Sequence, residues 1–157
     1  NKSDVFAIGI IDADKRKATV DSGFHEYELP LEVDGKSRHI RFFIHDDRKR
    51  YLFTIYKAMD SFIFNAATDQ NADMGPFGNP SNVDEFLIYT KKVQAETDPK
   101  LRRLFCEIKN YPELMRFRNT LKYLMAKKYD ADIETAKQFF DGTLGKDDLQ
   151  SILTQLT

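Results

Sequence analysis

Two acids one residue apart, Asp12 and Asp14, follow the uncharged run Val5-Phe6-Ala7-Ile8-Gly9-Ile10-Ile11, and Lys15 comes directly after them. Carboxylates this close can share a hard divalent cation such as Mg²⁺, which takes oxygen ligands and keeps several of its waters. Such a cation stabilises charge developing on a phosphate oxygen, and Lys15 would meet the phosphate as a point charge. Without a cation the two carboxylates repel each other. The uncharged run predicts a buried strand, and acids at the exit of such a strand stand at the mouth of a sheet.

Several site templates use acids in this pattern. An EF-hand loop needs Asp or Asn at its fifth position, Gly at its sixth and Glu at its twelfth, where this sequence has Arg16, Lys17 and Gly23. A phosphatase with a nucleophilic aspartate has a small β-branched residue where Arg16 stands. A nucleotide-sugar transferase passes the local test but needs a nucleotide-binding half that 157 residues do not supply. His25, His39 and His45, spaced by 14 and 6 residues, fit no common zinc pattern alongside a single cysteine. The sequence has neither a Gly-x-Ser-x-Gly elbow nor a Gly-rich phosphate loop, so serine-hydrolase and P-loop readings lack support.

The elements that must position these residues change character along the chain. Residues 5–11, 27–33, 39–45 and 51–56 are rich in β-branched and aromatic side chains and predict strands. Asp34-Gly35 and the run from Asp46 to Arg50 occupy turn positions, so antiparallel pairing of neighbours is the simplest topology. Residues 61–67 predict a short helix capped by Asp60 or Ser61, and residues 68–80 read as a lid-like loop. Helices are then expected from Asn82, with Glu85 completing a capping box, to about Gln94, and from Asp98-Pro99 to about Lys109. A longer helix starts at Pro112 with an apolar stripe of Leu114, Phe117, Leu121, Leu124 and Met125, and shorter ones span about 133–140, stopped by Gly142, and 146–156. The expected class is α/β (α+β): a sheet-rich portion 1–67, a loop 68–82 and a helical portion 83–157 packed on the same domain.

With 157 residues, 41% hydrophobic and 31% charged, the composition is that of a soluble globular domain. No run approaches the roughly 18 apolar residues of a membrane span. The lone Cys106 excludes an internal disulfide and, inside an amphipathic helix, predicts a buried thiol in a cytoplasmic protein. The chain opens on Asn1 rather than Met, which is compatible with a segment removed upstream. Charge is uneven although the net is −1: residues 99–128 hold nine basic residues, among them Arg116 and Arg118, against two acids, for about +7, whereas residues 130–157 hold six acids and two lysines. The basic helices, extended by Arg48, Lys49 and Arg50, could follow a phosphate backbone; the alternative is the solvated face of amphipathic helices.

The segment Ile8-Gly9-Ile10-Ile11-Asp12-Ala13-Asp14 resembles the Toprim domain, the metal-binding unit shared by topoisomerases, primases and nucleases of the overcoming-lysogenization-defect type. The longer run from Gly9 to Lys17, followed by Phe24 and an aromatic strand ending near Tyr56, is similar to small bacterial Toprim-related proteins. The resemblance covers about residues 4–67, and the helical remainder resembles no family. It implies Mg²⁺-dependent phosphodiester cleavage or phosphoryl transfer on nucleic acid, with Asp12 and Asp14 on the metal and Lys15 on the phosphate, Lys57 being a second candidate for that contact. It also implies a glutamate on an earlier strand, which Asn1-Lys2-Ser3-Asp4 do not contain, and an acid at the start of the helix after the aromatic strand, the place of Asp60. Asp60 is thus a candidate metal ligand as well as a candidate helix cap. The expected partners are nucleic acid, through the helices of 99–128, and no membrane. A noncatalytic protein-interaction module that keeps a degenerate Toprim-like fold is the second reading.

Overall fold

The computed structural model describes residues 5–13, 21–30, 32–33, 36–56, 59–70, 82–94 and 97–154. Asp14, Lys15, Asp34, Gly35, Lys57 and most of the expected loop 68–80 lie outside the described residues. Strands β1 (Ala7–Ala13), β2 (Phe24–Glu26), β5 (Ile40–His45) and β6 (Arg50–Tyr56) form a four-stranded sheet in the order β1-β6-β5-β2. Two short strands, β3 (Glu32–Val33) and β4 (Lys36–Ser37), pair antiparallel by themselves. The helices are α1 (Met59–Asp69), α2 (Val83–Lys92), α3 (Pro99–Ile108), α4 (Pro112–Lys127), α5 (Ile133–Asp141) and α6 (Lys146–Thr154), with a 3₁₀ turn over Lys128–Asp130. This is the expected α/β class, sheet first and helices after. None of the described helices is long and apolar enough to cross a membrane.

Strand β6 is central, antiparallel to β5 on one side and parallel to β1 on the other. Alternate side chains line one face of a strand. On β6 these are Tyr51, Phe53 and Ile55, and their register partners Ile40, Phe42 and Ile44 on β5 share that face. Phe42 stacks on Phe53 with ring centroids 4.7 Å apart, Phe117 of α4 meets Phe53 edge-on at 5.0 Å, and Phe140 of α5 lies 5.2 Å from Phe42. Helices α4 and α5 therefore cover this face, and one buried cluster runs from Ile40 through Phe62 and Leu104 to Leu149.

Four local expectations need correction. The strand at residues 7–13 is an edge strand rather than a buried one: Ile10 and Ile11 are 47% and 38% exposed, and its one partner among the described residues is parallel, not antiparallel. Among the described residues, the expected strand 27–33 is found only at Glu32–Val33, as β3; at its start Tyr27 donates its N–H to the Phe42 carbonyl at 2.8 Å beyond the end of β2, and this pairing stops before Pro30, which has no N–H to give. Met125 leaves the apolar stripe of α4 and is 62% exposed, while Tyr123 and Leu124 take the buried positions. Cys106 is exposed, because Leu101, Leu104 and Ile108 form the buried face of α3.

Helix ends follow local chemistry. Asn82, Asp98 and Asp132 each accept hydrogen bonds from N–H groups in the first turn of α2, α3 and α5. Gly142 ends α5 in the left-handed region at φ 86°, and Leu144 N–H reaches back to the Gln138 carbonyl at 3.0 Å. A Cβ at Gly142 would also come within 2.6 Å of the Arg116 side chain. Gly142→Ala is expected to lower the unfolding free energy by about 1–2 kcal/mol, the cost of left-handed backbone for an L residue, as read from urea denaturation with an unchanged m-value.

Candidate metal site at the carboxyl end of the parallel strands

Strands β1 and β6 run parallel in register, Asp12 opposite Ile55 and Ala13 opposite Tyr56, so both exit on the same side of the sheet. Helix α1 begins at Met59, just beyond the end of β6, and its first turn lies at this exit. The first N–H groups of a helix have no partner inside it. Met59 N–H donates to Asp12 Oδ1 at 3.1 Å, so a side chain 47 residues earlier takes up one of them. Asp12 is nonetheless exposed.

Asp60 sits in the first turn of α1 rather than at its cap, because the helix starts earlier than expected. Its Oδ1 accepts the Ser61 N–H at 2.9 Å and its Oδ2 accepts the Thr90 hydroxyl of α2 at 3.4 Å. Asp12 and Asp60 thus share the amino end of α1, where the helix dipole favours negative charge. Both are oxygen donors of the kind Mg²⁺ takes. Among the described residues no cluster of three or more His, Cys, Asp or Glu is placed to hold a metal, and Asp14, the other acid of the motif, lies outside them.

The basic candidates are dispersed. Arg48 and Lys49 lie in the β5–β6 turn at the opposite end of the sheet: the Lys49 carbonyl accepts the Ala7 N–H, five residues and roughly 17 Å of strand before Asp12. Arg116 packs over Gly142 at the end of α5, beside Asp141. Arg118 faces α6. On α3, Arg103 lies 3.6 Å from Glu107, and Lys100 of the same helix stands over the ring of Tyr89. The histidines are separate too: His25 is 2.7 Å from Asp46, His39 is 3.2 Å from Glu113, and His45 is 3.3 Å from Asp47.

Two polar centres escaped the sequence reading. Glu113, in the first turn of α4, accepts the His39 and Ile40 N–H groups at 2.7 and 2.9 Å, closing the start of β5 with a helix carboxylate. The only trace in the sequence is an acid directly after a helix-opening proline. Asp47 organises the β5–β6 turn, accepting Lys49 N–H, Arg50 N–H and Arg50 Nε. Burial works to raise its pKa, but the bonds from Lys49 and Arg50 and the charge of His45 outweigh it and hold the carboxyl at about 2.

Fold and geometry thus define a mixed α/β protein with exposed and half-buried carboxylates at the carboxyl ends of two parallel strands. Comparisons with family models, with curated proteins and with solved structures returned no match for this chain.

Asp12→Ala is expected to cost about 1 kcal/mol of stability through the lost acceptor at α1, whereas Asp12→Asn, which keeps a side-chain oxygen, should cost less than half of that in the same chemical denaturation series. Because the folded pKa of Asp47 lies below its ordinary 3.8, its contribution is present above that value and is lost as pH falls toward 2. Thermal melts between pH 5 and 2 should therefore fall less steeply for Asp47→Asn than for the unmodified chain.

Proposed function

We propose that the chain is a Mg²⁺-dependent domain of Toprim type that cleaves or transfers phosphodiesters of nucleic acid. The observation that carries this reading is Asp12, exposed where parallel β1 and β6 exit together and α1 begins. In open sheets with parallel strands, ligands collect at such carboxyl ends. Asp12 gives one oxygen to Met59, and the rest of its lone pairs suit a hard cation; Asp14 from the same motif and Asp60 on α1 are the further ligands in this reading. Bound there, the metal would supply charge stabilisation for a phosphate oxygen. Lys15 and Lys57 are assigned to the phosphate. Arg118 is assigned to the backbone, with Arg116, on another face of α4, and Arg48 and Lys49 as more distant contacts.

A second reading has a specific observation in its favour. Asp12 already serves α1 as an acceptor, Val5 and Ile10 expose 56% and 47% of their surface at strand β1, which is an edge among the described residues, and Tyr56 exposes 55% at the end of β6 beside it. A protein that kept the acid for structure and the edge for a partner would present this surface.

The two readings part in one experiment. Mg²⁺ and Mn²⁺ are titrated by calorimetry into the unmodified chain and Asp12→Asn, and both proteins are incubated with labelled single- and double-stranded DNA and RNA. The enzyme reading expects saturable metal heat and cleavage that fall at least ~100-fold in Asp12→Asn, about 2.7 kcal/mol of transition-state stabilisation. Absence of both metal binding and cleavage in the unmodified chain leaves the interaction module.

A further inference from the structure

Away from the carboxylates, helices α4 and α6 enclose a groove of about 550 Å³. From α4 it receives Arg118, Asn119 and Lys122, and from α6 it receives Lys146, Leu149 and Leu153 at steps of three and four residues, the spacing of one helix face. Among the described residues, three cations and no carboxylate line it. Among the described residues, Arg118, Lys122 and Lys146 form no ion pair. The acids beside Lys146 are turned to other tasks: Asp148 accepts the Gly145 N–H at 2.8 Å, and Asp147 lines a neighbouring hollow with Ser151.

Among the described residues, one polar atom of the groove wall is buried without a partner. The Nε of Arg118 is buried and has no hydrogen bond. Asn119 is 3% exposed as a residue, lines the groove, and makes no side-chain hydrogen bond among the described residues, so its amide is available to a ligand. Buried polar groups are nearly always paired, and the orphaned guanidinium nitrogen of Arg118 calls for a partner. Thr120, on the same helix, shows the usual outcome: its hydroxyl donates to the Arg116 carbonyl at 2.7 Å.

We propose that the α4–α6 groove binds a nucleoside phosphate, either free or as one unit of a single strand. The three cations match a phosphate. The Asn119 amide carries both a donor and an acceptor, as the hydrogen-bonding edge of a base requires. Leu149 and Leu153 supply an apolar surface for the base or sugar face, and the volume lies within the range of small-molecule sites. The groove does not include Asp12 or Asp60, so this site stands or falls independently of the metal reading.

The full chain is titrated in EDTA with AMP, GMP, CMP, UMP, inorganic phosphate and a 12-nucleotide single strand, and binding is followed by calorimetry and amide chemical shifts. At least one nucleotide or the strand is expected to saturate with a Kd between about 10 μM and 1 mM, and to shift resonances of α4 and α6. Lys122→Ala with Lys146→Ala, both exposed positions, should weaken binding at least ~10-fold without moving the melting temperature by more than a few degrees. Asn119→Asp, close in shape and opposite in effect on an anion, should weaken it comparably. Saturation by mononucleotides assigns the groove to a free ligand, and saturation by the strand alone assigns it to a nucleic acid. The proposal is overturned if neither saturates, if inorganic phosphate binds as tightly as every nucleotide, or if the double lysine variant binds with unchanged affinity. Should Asn119→Asp fail to fold, the lysine variant decides.

Discussion

The face-to-face contact of Phe42 and Phe53 is the interaction on which the rest of the molecule depends. It lies across the antiparallel pair β5–β6, both rings are 0% exposed, and each ring is also the landing place of one helix. Phe117 fixes α4 against Phe53, and Phe140 fixes α5 against Phe42. Aromatic pairs of this kind add geometric preference to the area they bury, so the helices are set in orientation as well as in distance. With α4 in place, Glu113 reaches the first N–H groups of β5, and the turn after α4 brings the Tyr129 hydroxyl to accept the Phe6 N–H at 2.9 Å. Edge strand β1 is thereby tied near its beginning to the helical layer and near its end, through Asp12, to α1.

A second set of contacts uses tyrosine and aspartate together. Tyr27 donates to Asp141, Tyr89 to Asp98 and Tyr111 to Asp69, each joining two segments of the chain. Burial and then the neighbouring carboxylate push Tyr89 and Tyr111 up to about 12, so the phenols stay protonated donors across the physiological range. Asp98 serves two elements at once, since it also accepts the Leu101 N–H as the cap of α3. Such pairs join segments at the margins of the core, where each phenol buries its ring and gives its hydroxyl to a carboxylate.

What could be read from the sequence follows the range of each interaction. The caps at Asn82, Asp98 and Gly142 were legible because a cap is settled within four residues, and the class was legible because periodicity changes from alternating to helical near residue 82. The parallel partner of β1 was not legible: the register Asp12 to Ile55 joins residues far apart in the chain, and nothing local distinguishes a parallel edge strand from a buried one when both are apolar. Asp60 shows the same limit at small scale. Its residue type suits a cap, yet an acid 48 residues earlier lies where α1 needs an acceptor, and the helix begins before Asp60. At the site, one acid of the motif is placed, its companion lies outside the described residues, and the Glu113 clamp had no signature beyond a proline and an acid.

Charge illustrates the same distinction between chain and space. Arg116 and Arg118 are two positions apart, which is about 200° around a helix, so one cannot join the other on a common face. Arg116 turns to the end of α5, where a cation meets the negative end of the helix dipole and lies near enough to Asp141 to help lower its pKa. Arg118 turns to α6 and meets Lys146, which belongs to the segment that counts as acidic in the sequence. The excess of about +7 over residues 99–128 is therefore not a basic surface in itself. The field that a ligand meets is set by which cations remain without a carboxylate after folding, and in the groove those are Arg118, Lys122 and Lys146, from two helices with opposite net charge.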